Sequence, residues 1–209
     1  MRKKMDEERR SSIRRTILDC ARAIVEEEGF EGLSIRKVAT RADYTPGSIY
    51  QYFDSKHALV RTLIQAGYRD IMASTMKPLD PGLTIREEII ARFRGYTEAA
   101  LKNPEYYKAV MLSDDPGVRS MTEVLSGTPE ETPKGLKMLM TLLEKGVEAG
   151  VFRPVDIRRV AQVLWTANFG LTLRLIIEKP DMNEETVRTL VEEELGLFLD
   201  GLERKEEEA

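Results

Sequence analysis

Apolar residues recur at helical spacing along most of the chain, helix formers dominate, and runs of β-branched residues are scarce. Ile13, Ile17, Cys20 and Ile24 mark the inward side of a first helix from about Ser12 to Glu28, stopped by Gly29. Ile35, Val38, Ala39 and Ala42 share one side of a second helix, with Ser34 placed to cap it. A helix from Ser55 to about Met76 ends before Pro78-Leu79-Asp80-Pro81-Gly82, which cannot continue one. Thr84 caps the next, through Ile85, Ile89, Phe93 and Tyr96 to about Lys102. Asn103-Pro104 interrupts, and Glu105 to Leu112 resumes. Residues 113–133, rich in Ser, Asp, Gly, Thr and Pro, read as a loop or a short irregular helix. Lys134 to Ala149 is helical again, closed by Gly150. Two long helices follow, Asp156 to Glu178 and Asn183 to Lys205.

The stretch from Ser34 to Lys56 carries the clearest chemistry. Asp43 can adopt the left-handed conformation that a tight helix–helix turn needs. Thr45-Pro46 then supplies a cap followed by proline at the first helical position, where the missing N–H costs nothing. Ile49 and Phe53 turn inward, leaving Thr45, Pro46, Gly47, Ser48 and Gln51 outward. Small and hydroxyl residues permit close approach to a surface, and Ser, Thr and Gln can bond base edges or phosphate oxygens. Lys56 stands at the start of a third helix, whose free N–H groups attract phosphate.

This segment resembles the DNA-binding signature of the TetR family of transcriptional regulators. The matching positions are Ser34, Val38, Ala39, Ala42-Asp43-Tyr44, Thr45, Ser48, Tyr50, Tyr52, Phe53, Lys56 and Leu59. Asp43 replaces the usual turn glycine, and Tyr44 a small aliphatic residue. The resemblance implies an all-α fold with an N-terminal three-helix helix-turn-helix DNA-binding domain (1–57) and a C-terminal helical effector-binding and dimerisation domain (58–209). It implies a cytoplasmic repressor that binds a palindromic double-stranded DNA operator as a homodimer and is released by a small apolar effector. Ser34, Thr45, Pro46, Gly47, Ser48, Tyr50, Gln51, Tyr52 and Lys56 are the expected DNA contacts. Tyr50 and Lys56 anchor phosphates in this scheme, while Tyr52 either touches DNA or packs beneath the third helix.

Charge refines this picture. The chain of 209 residues carries −4 overall, but residues 1–60 hold 12 Lys/Arg against 10 Asp/Glu, whereas residues 61–209 hold 20 against 26. Basic character is thus concentrated at the motif. The run Arg2, Lys3, Lys4, Arg9, Arg10, Arg14 and Arg15 is either a solvated face or an arm that neutralises phosphates. The longest apolar stretch, Val160 to Ile177, is interrupted by Gln162, Thr166, Asn168, Thr172 and Arg174, unlike a membrane span. One cysteine, Cys20, can form no intrachain disulfide, and reads as core filler or a redox sensor.

The body offers two further readings. Val160, Val163, Leu164, Ala167, Gly170, Leu171 and Leu175 form a wide apolar stripe, and the last helix carries Val187, Leu190, Val191, Leu195, Phe198 and Leu202. These either complete the monomer core or, as the resemblance implies, pair with a second copy. Met72, Met76, Phe93, Tyr96, Met111, Met121, Met138, Trp165, Phe169 and Leu173 are core residues or the lining of an effector cavity, since methionine and aromatic side chains adapt to varied apolar guests. No zinc-protease helix, paired-cysteine motif, phosphate-cradling glycine loop or nucleophile elbow is present, and His57 is the lone histidine, expected to face phosphate or solvent. The expectation is a non-enzymatic protein that needs no cofactor or metal.

Overall fold

The structure, a computed structural model, describes residues 2–126, 130, 132–178 and 181–204, with side chains from Met5 onward. Among the described residues there are ten helices and no strand. They are α1 (Arg2–Gly32), α2 (Ile35–Arg41), α3 (Pro46–Tyr50), α4 (Lys56–Thr75), α5 (Ile85–Lys102), α6 (Pro104–Met111), α7 (Pro116–Arg119), α8 (Lys134–Glu148), α9 (Ile157–Glu178) and α10 (Glu184–Asp200). The fold is all-α.

Capping chemistry sets most boundaries. Ser34, Thr45, Ser55 and Asn183 each accept a hydrogen bond from a first-turn N–H, and Thr84 and Glu87 form a reciprocal capping box. Gly29 interrupts α1 at φ 72°, ψ 177°, a conformation that only glycine adopts cheaply. Two ends differ from the sequence pattern. Helix α1 continues back to Arg2 because the Arg/Glu-rich segment before Ser12 consists of good helix formers. Helix α10 stops at Asp200, not Lys205, because the chain turns back along the α8–α9 connector. There Arg153 N–H donates to the Leu202 carbonyl (2.8 Å) and Arg204 N–H to that of Val151 (3.2 Å). Lys205 and the 206–208 carboxylate run lie outside the described residues, as do the side chains of Arg2, Lys3 and Lys4.

Two cores hold the chain together. The first joins α1–α4 to α6 through Ile17, Ile24, Val38, Ile49, Phe53, Leu59, Leu63 and Tyr107. The second fills the space between α5, α8, α9 and α10 with Ile89, Phe93, Leu139, Leu143, Leu164, Trp165 and Leu195. Met72 and Phe169 pack against both. Helix α4 runs unbroken across the 57/58 division, so head and body share it as a rigid element. Helix α9 is long and apolar enough to cross a membrane by length and composition, and it packs here against α5, α8 and α10.

Candidate functional site

The head is built around the α2–α3 turn. Asp43 takes φ 58°, and the Tyr44 N–H donates back to the Ala39 carbonyl at 2.8 Å, so α3 leaves at a sharp angle to α2. Thr45 Oγ1 accepts from the Ser48 N–H (3.2 Å) and also shares a hydrogen bond with Ser48 Oγ (2.8 Å). Ile49 and Phe53 are buried beneath α3. What remains outside is Thr45, Pro46, Gly47, Tyr50 and Gln51, with Ser48 half-exposed. Lys56 is exposed on the first turn of α4. Ser34 is half-buried and accepts from the Lys37 N–H, and Tyr52 is half-buried against the first core. The sequence pattern did not single out Arg36 or Tyr44 as contacts, yet both are exposed, Arg36 on the first turn of α2 and Tyr44 in the turn just before α3. The exposed aromatic at a position usually small was the available signal for Tyr44.

Two members of the basic run are neither idle nor aimed at solvent. Arg10 donates to the Gln51 carbonyl (2.9 Å) and Arg14 to the Tyr52 carbonyl (2.7 Å), with the Arg14 guanidinium 4.2 Å from the Phe53 ring centroid. Both groups satisfy carbonyls that the end of a short helix leaves free and place positive charge at its negative pole. Helix α1 thereby fixes the far end of α3.

His57 does not face phosphate or solvent alone: its Nε2 lies 2.7 Å from the Asp115 carboxylate. Arg61 Nε donates to the same oxygen at 2.8 Å, and the Gly117 and Val118 N–H groups donate to the other at 2.8 and 3.1 Å. Gln65 adds a bond to the Gly117 carbonyl. Desolvation pushes the Asp115 carboxyl up, but the His57 hydrogen bond, the Arg61 charge and the two backbone donors together hold it below the usual carboxylate range. Asp115 therefore caps α7 and latches it to the first two turns of α4.

Beyond α7 opens a cavity of about 360 Å³ between α4, α8 and α9. Tyr68, Met72, Ala73, Met76, Met121, Pro133, Gly135 and Trp165 give it an apolar wall, while Arg69, Ser120 and Lys134 supply polar groups. Of the ten side chains expected to line a cavity, the structure brings Met72, Met76, Met121 and Trp165 to it, and Leu173 packs against the first core. Phe93, Tyr96 and Phe169 stand one layer behind, packed on Trp165 at centroid distances of 5.4, 6.0 and 5.7 Å. Met111 packs into the first core, and Met138 is half-buried on α8 without reaching the cavity. Met111 faces the first core, and Met138 joins neither core; periodicity gives a residue's side of its own helix but not the neighbour it meets. Arg69, Lys134 and Gly135 have no apolar signature that could have revealed them.

A buried polar chain crosses the body nearby. Thr97 and Thr172 hydroxyls share a hydrogen bond of 3.0 Å, Asn168 lies 3.4 Å from Thr97 Oγ1, and Asn168 Nδ2 donates to Glu194 at 3.3 Å. Burial raises the Glu194 carboxyl above its ordinary range, against the lowering effect of Asn168. Outside this chain, α9 and α10 present Val163, Ile177, Leu197 and Phe198 to solvent, and a Cβ at Gly170 would meet nothing within 4 Å.

Comparison with known proteins matches this architecture. The family model for bacterial regulatory proteins of the tetR family matches residues 17–63, which span α1 from Ile17 onward, α2, α3 and the first turns of α4. The HTH-type transcriptional repressor KstR2 of Mycobacterium tuberculosis is 29% identical over 153 residues, covering 69% of this chain and 71% of that protein. KstR2 of Rhodococcus jostii is 25% identical over 198 residues, covering 92% of each. Among solved structures, the fatty acid degradation regulator FadR of Bacillus halodurans superposes with a TM-score of 0.68 at 20% identity, covering 91% of this chain and 97% of that one, a likeness of fold. With its turn geometry, its helix order and these relatives in agreement, residues 17–63 form a DNA-binding domain of the tetR family, and the chain as a whole is similar to TetR-family transcriptional regulators.

Proposed function

We propose that this protein is a transcriptional repressor that binds a palindromic operator as a homodimer and leaves it when a small, largely apolar effector occupies the body. The observation that carries the reading is the exposed face of α3. Thr45, Pro46, Gly47 and Gln51 stand clear of the head with no bulky side chain in front, while Tyr50 and Lys56 flank them. Such a face fits a major groove, with base-edge donors and acceptors at its centre and phosphate anchors at its sides. On this reading residues 1–57 serve DNA binding in the cytoplasm, and residues 58–209 serve effector binding and dimerisation. No catalytic step is involved.

The apolar faces of α9 and α10 support a dimer. A single α3 of five residues reaches few base pairs, whereas a two-fold pair reads half-sites about 34–36 Å apart or a multiple of that. The latch supports the release mechanism. Ser120 and Met121 border the cavity just after α7, and α7 is tied through Asp115 to His57 and Arg61, next to Lys56. A guest that displaces Met121 thus acts on the root of the head through one short helix. To lower operator affinity ~100-fold, the effector must favour the non-binding arrangement by ~3 kcal/mol.

Genomic fragments selected by the purified protein supply the test. Lys56→Ala should weaken binding to every fragment and reduce the salt slope by about one, whereas Gln51→Ala should relax base preference. Equal effects of both on selected and random DNA would defeat the reading.

A further inference from the structure

We infer that the body cavity takes an amphipathic anion, an apolar chain or ring system with a negatively charged head. The inference rests on the effector reading above and names the chemical class of the guest. Twelve arginines of the head and body are engaged by carboxylates or carbonyls elsewhere, including Arg22 with Asp70, Arg61 with Asp115 and Arg92 with Glu88. The two charged side chains in the cavity wall are different. Arg69 and Lys134 are both cations and both exposed, and neither makes an ion pair or side-chain hydrogen bond to another described residue. Among the described residues no carboxylate lines the cavity, although residues 61–209 carry more acidic than basic groups. Asp70, the acid next to Arg69 in sequence, is tied to Arg22.

Depth orders the cavity by polarity. Arg69, Met76 and Lys134 sit at the exposed mouth, and Tyr68, Gly135 and Trp165 form the buried end. Gly135 is required there, because a Cβ would stand 2.2 Å from Trp165 Cη2 and 2.6 Å from Met72 Cε. A volume of about 360 Å³ suits a small-molecule site. An anionic head at the mouth would meet two cations that have no competing partner among the described residues, while its apolar body would replace water against Met72, Met121 and Trp165. A cationic guest would meet like charge, and a neutral one would gain nothing from the mouth.

The chain's one tryptophan is Trp165, so its emission reports occupancy without any DNA. Full-length protein is titrated with decanoic acid, decyl phosphate and methyl decanoate while that emission is followed. At least one anion should bind about tenfold or more tightly than the ester, and the tighter of the two identifies a carboxylate or a phosphate head. Anion affinity should fall with rising salt while ester affinity does not, a comparison that needs no variant. In the Arg69→Gln/Lys134→Gln double variant, folded by circular dichroism, the anion-to-ester ratio should approach one. An ester that binds as tightly as both anions, or a ratio untouched by salt, would overturn the inference. A protein that shows the ratio yet ignores all DNA would support the inference and remove only the repressor reading.

Discussion

Asp43 and Glu194 show how single side chains carry measurable consequences. Asp43 holds φ 58°, a region that a β-branched residue enters only at a cost of about 1–2 kcal/mol. Asp43→Val is therefore expected to lower the melting temperature by several degrees, and Asp43→Gly to leave it equal or higher, as thermal denaturation followed by circular dichroism would show. Glu194 has a folded-state pKa above that of the free side chain, first because burial disfavours its charge. Its protonated form favours the fold in acid, and that contribution is lost as pH rises through the raised value. Glu194→Gln, always neutral, should match the native protein near pH ~4 and exceed its stability at pH ~7.5. Melts of both proteins across that range decide it; a variant less stable at neutral pH would show that Asn168 and its neighbours prefer the charge.

Short elements govern how the two halves communicate. Helix α7 has four residues and one side-chain cap, Asp115, yet it links the cavity edge to α4. Asp115→Asn keeps the shape but removes the charge that His57 and Arg61 share. Operator affinity without effector should change little more than about threefold, while the effector-induced loss of affinity should shrink from ~100-fold toward tenfold or less. Paired operator titrations with and without a releasing effector measure both quantities. At this scale the sequence was readable where caps and breakers act locally: Ser34, Thr45-Pro46 and Thr84 stand where they start helices, and Gly29 where it breaks α1. It was unreadable where distant segments meet. The early stop of α10 depends on backbone bonds to Val151 and Arg153, and the roles of Arg10, Arg14 and His57 depend on carbonyls or a carboxylate 38 to 58 positions away. Helical periodicity holds no information about such pairings, and it equally left open which aromatic residues would reach the cavity.

At the scale of the whole molecule, positive charge, apolar cover and cavity occupy different ends of one bundle. The head carries the basic excess, α9 and α10 carry the uncovered apolar face, and the cavity lies between them beside α4. Leu197→Glu together with Val163→Glu should turn a dimer into a monomer by placing charge in an apolar contact. The same double change should weaken operator binding by two orders of magnitude or more, about the benefit of linking two half-site contacts. Sedimentation velocity of the full chain mixed with a selected operator duplex reads the central claim in one experiment. Two chains per duplex at low salt, dissociating together as salt rises, is the result expected; a single chain per duplex, or no complex at all, would contradict it.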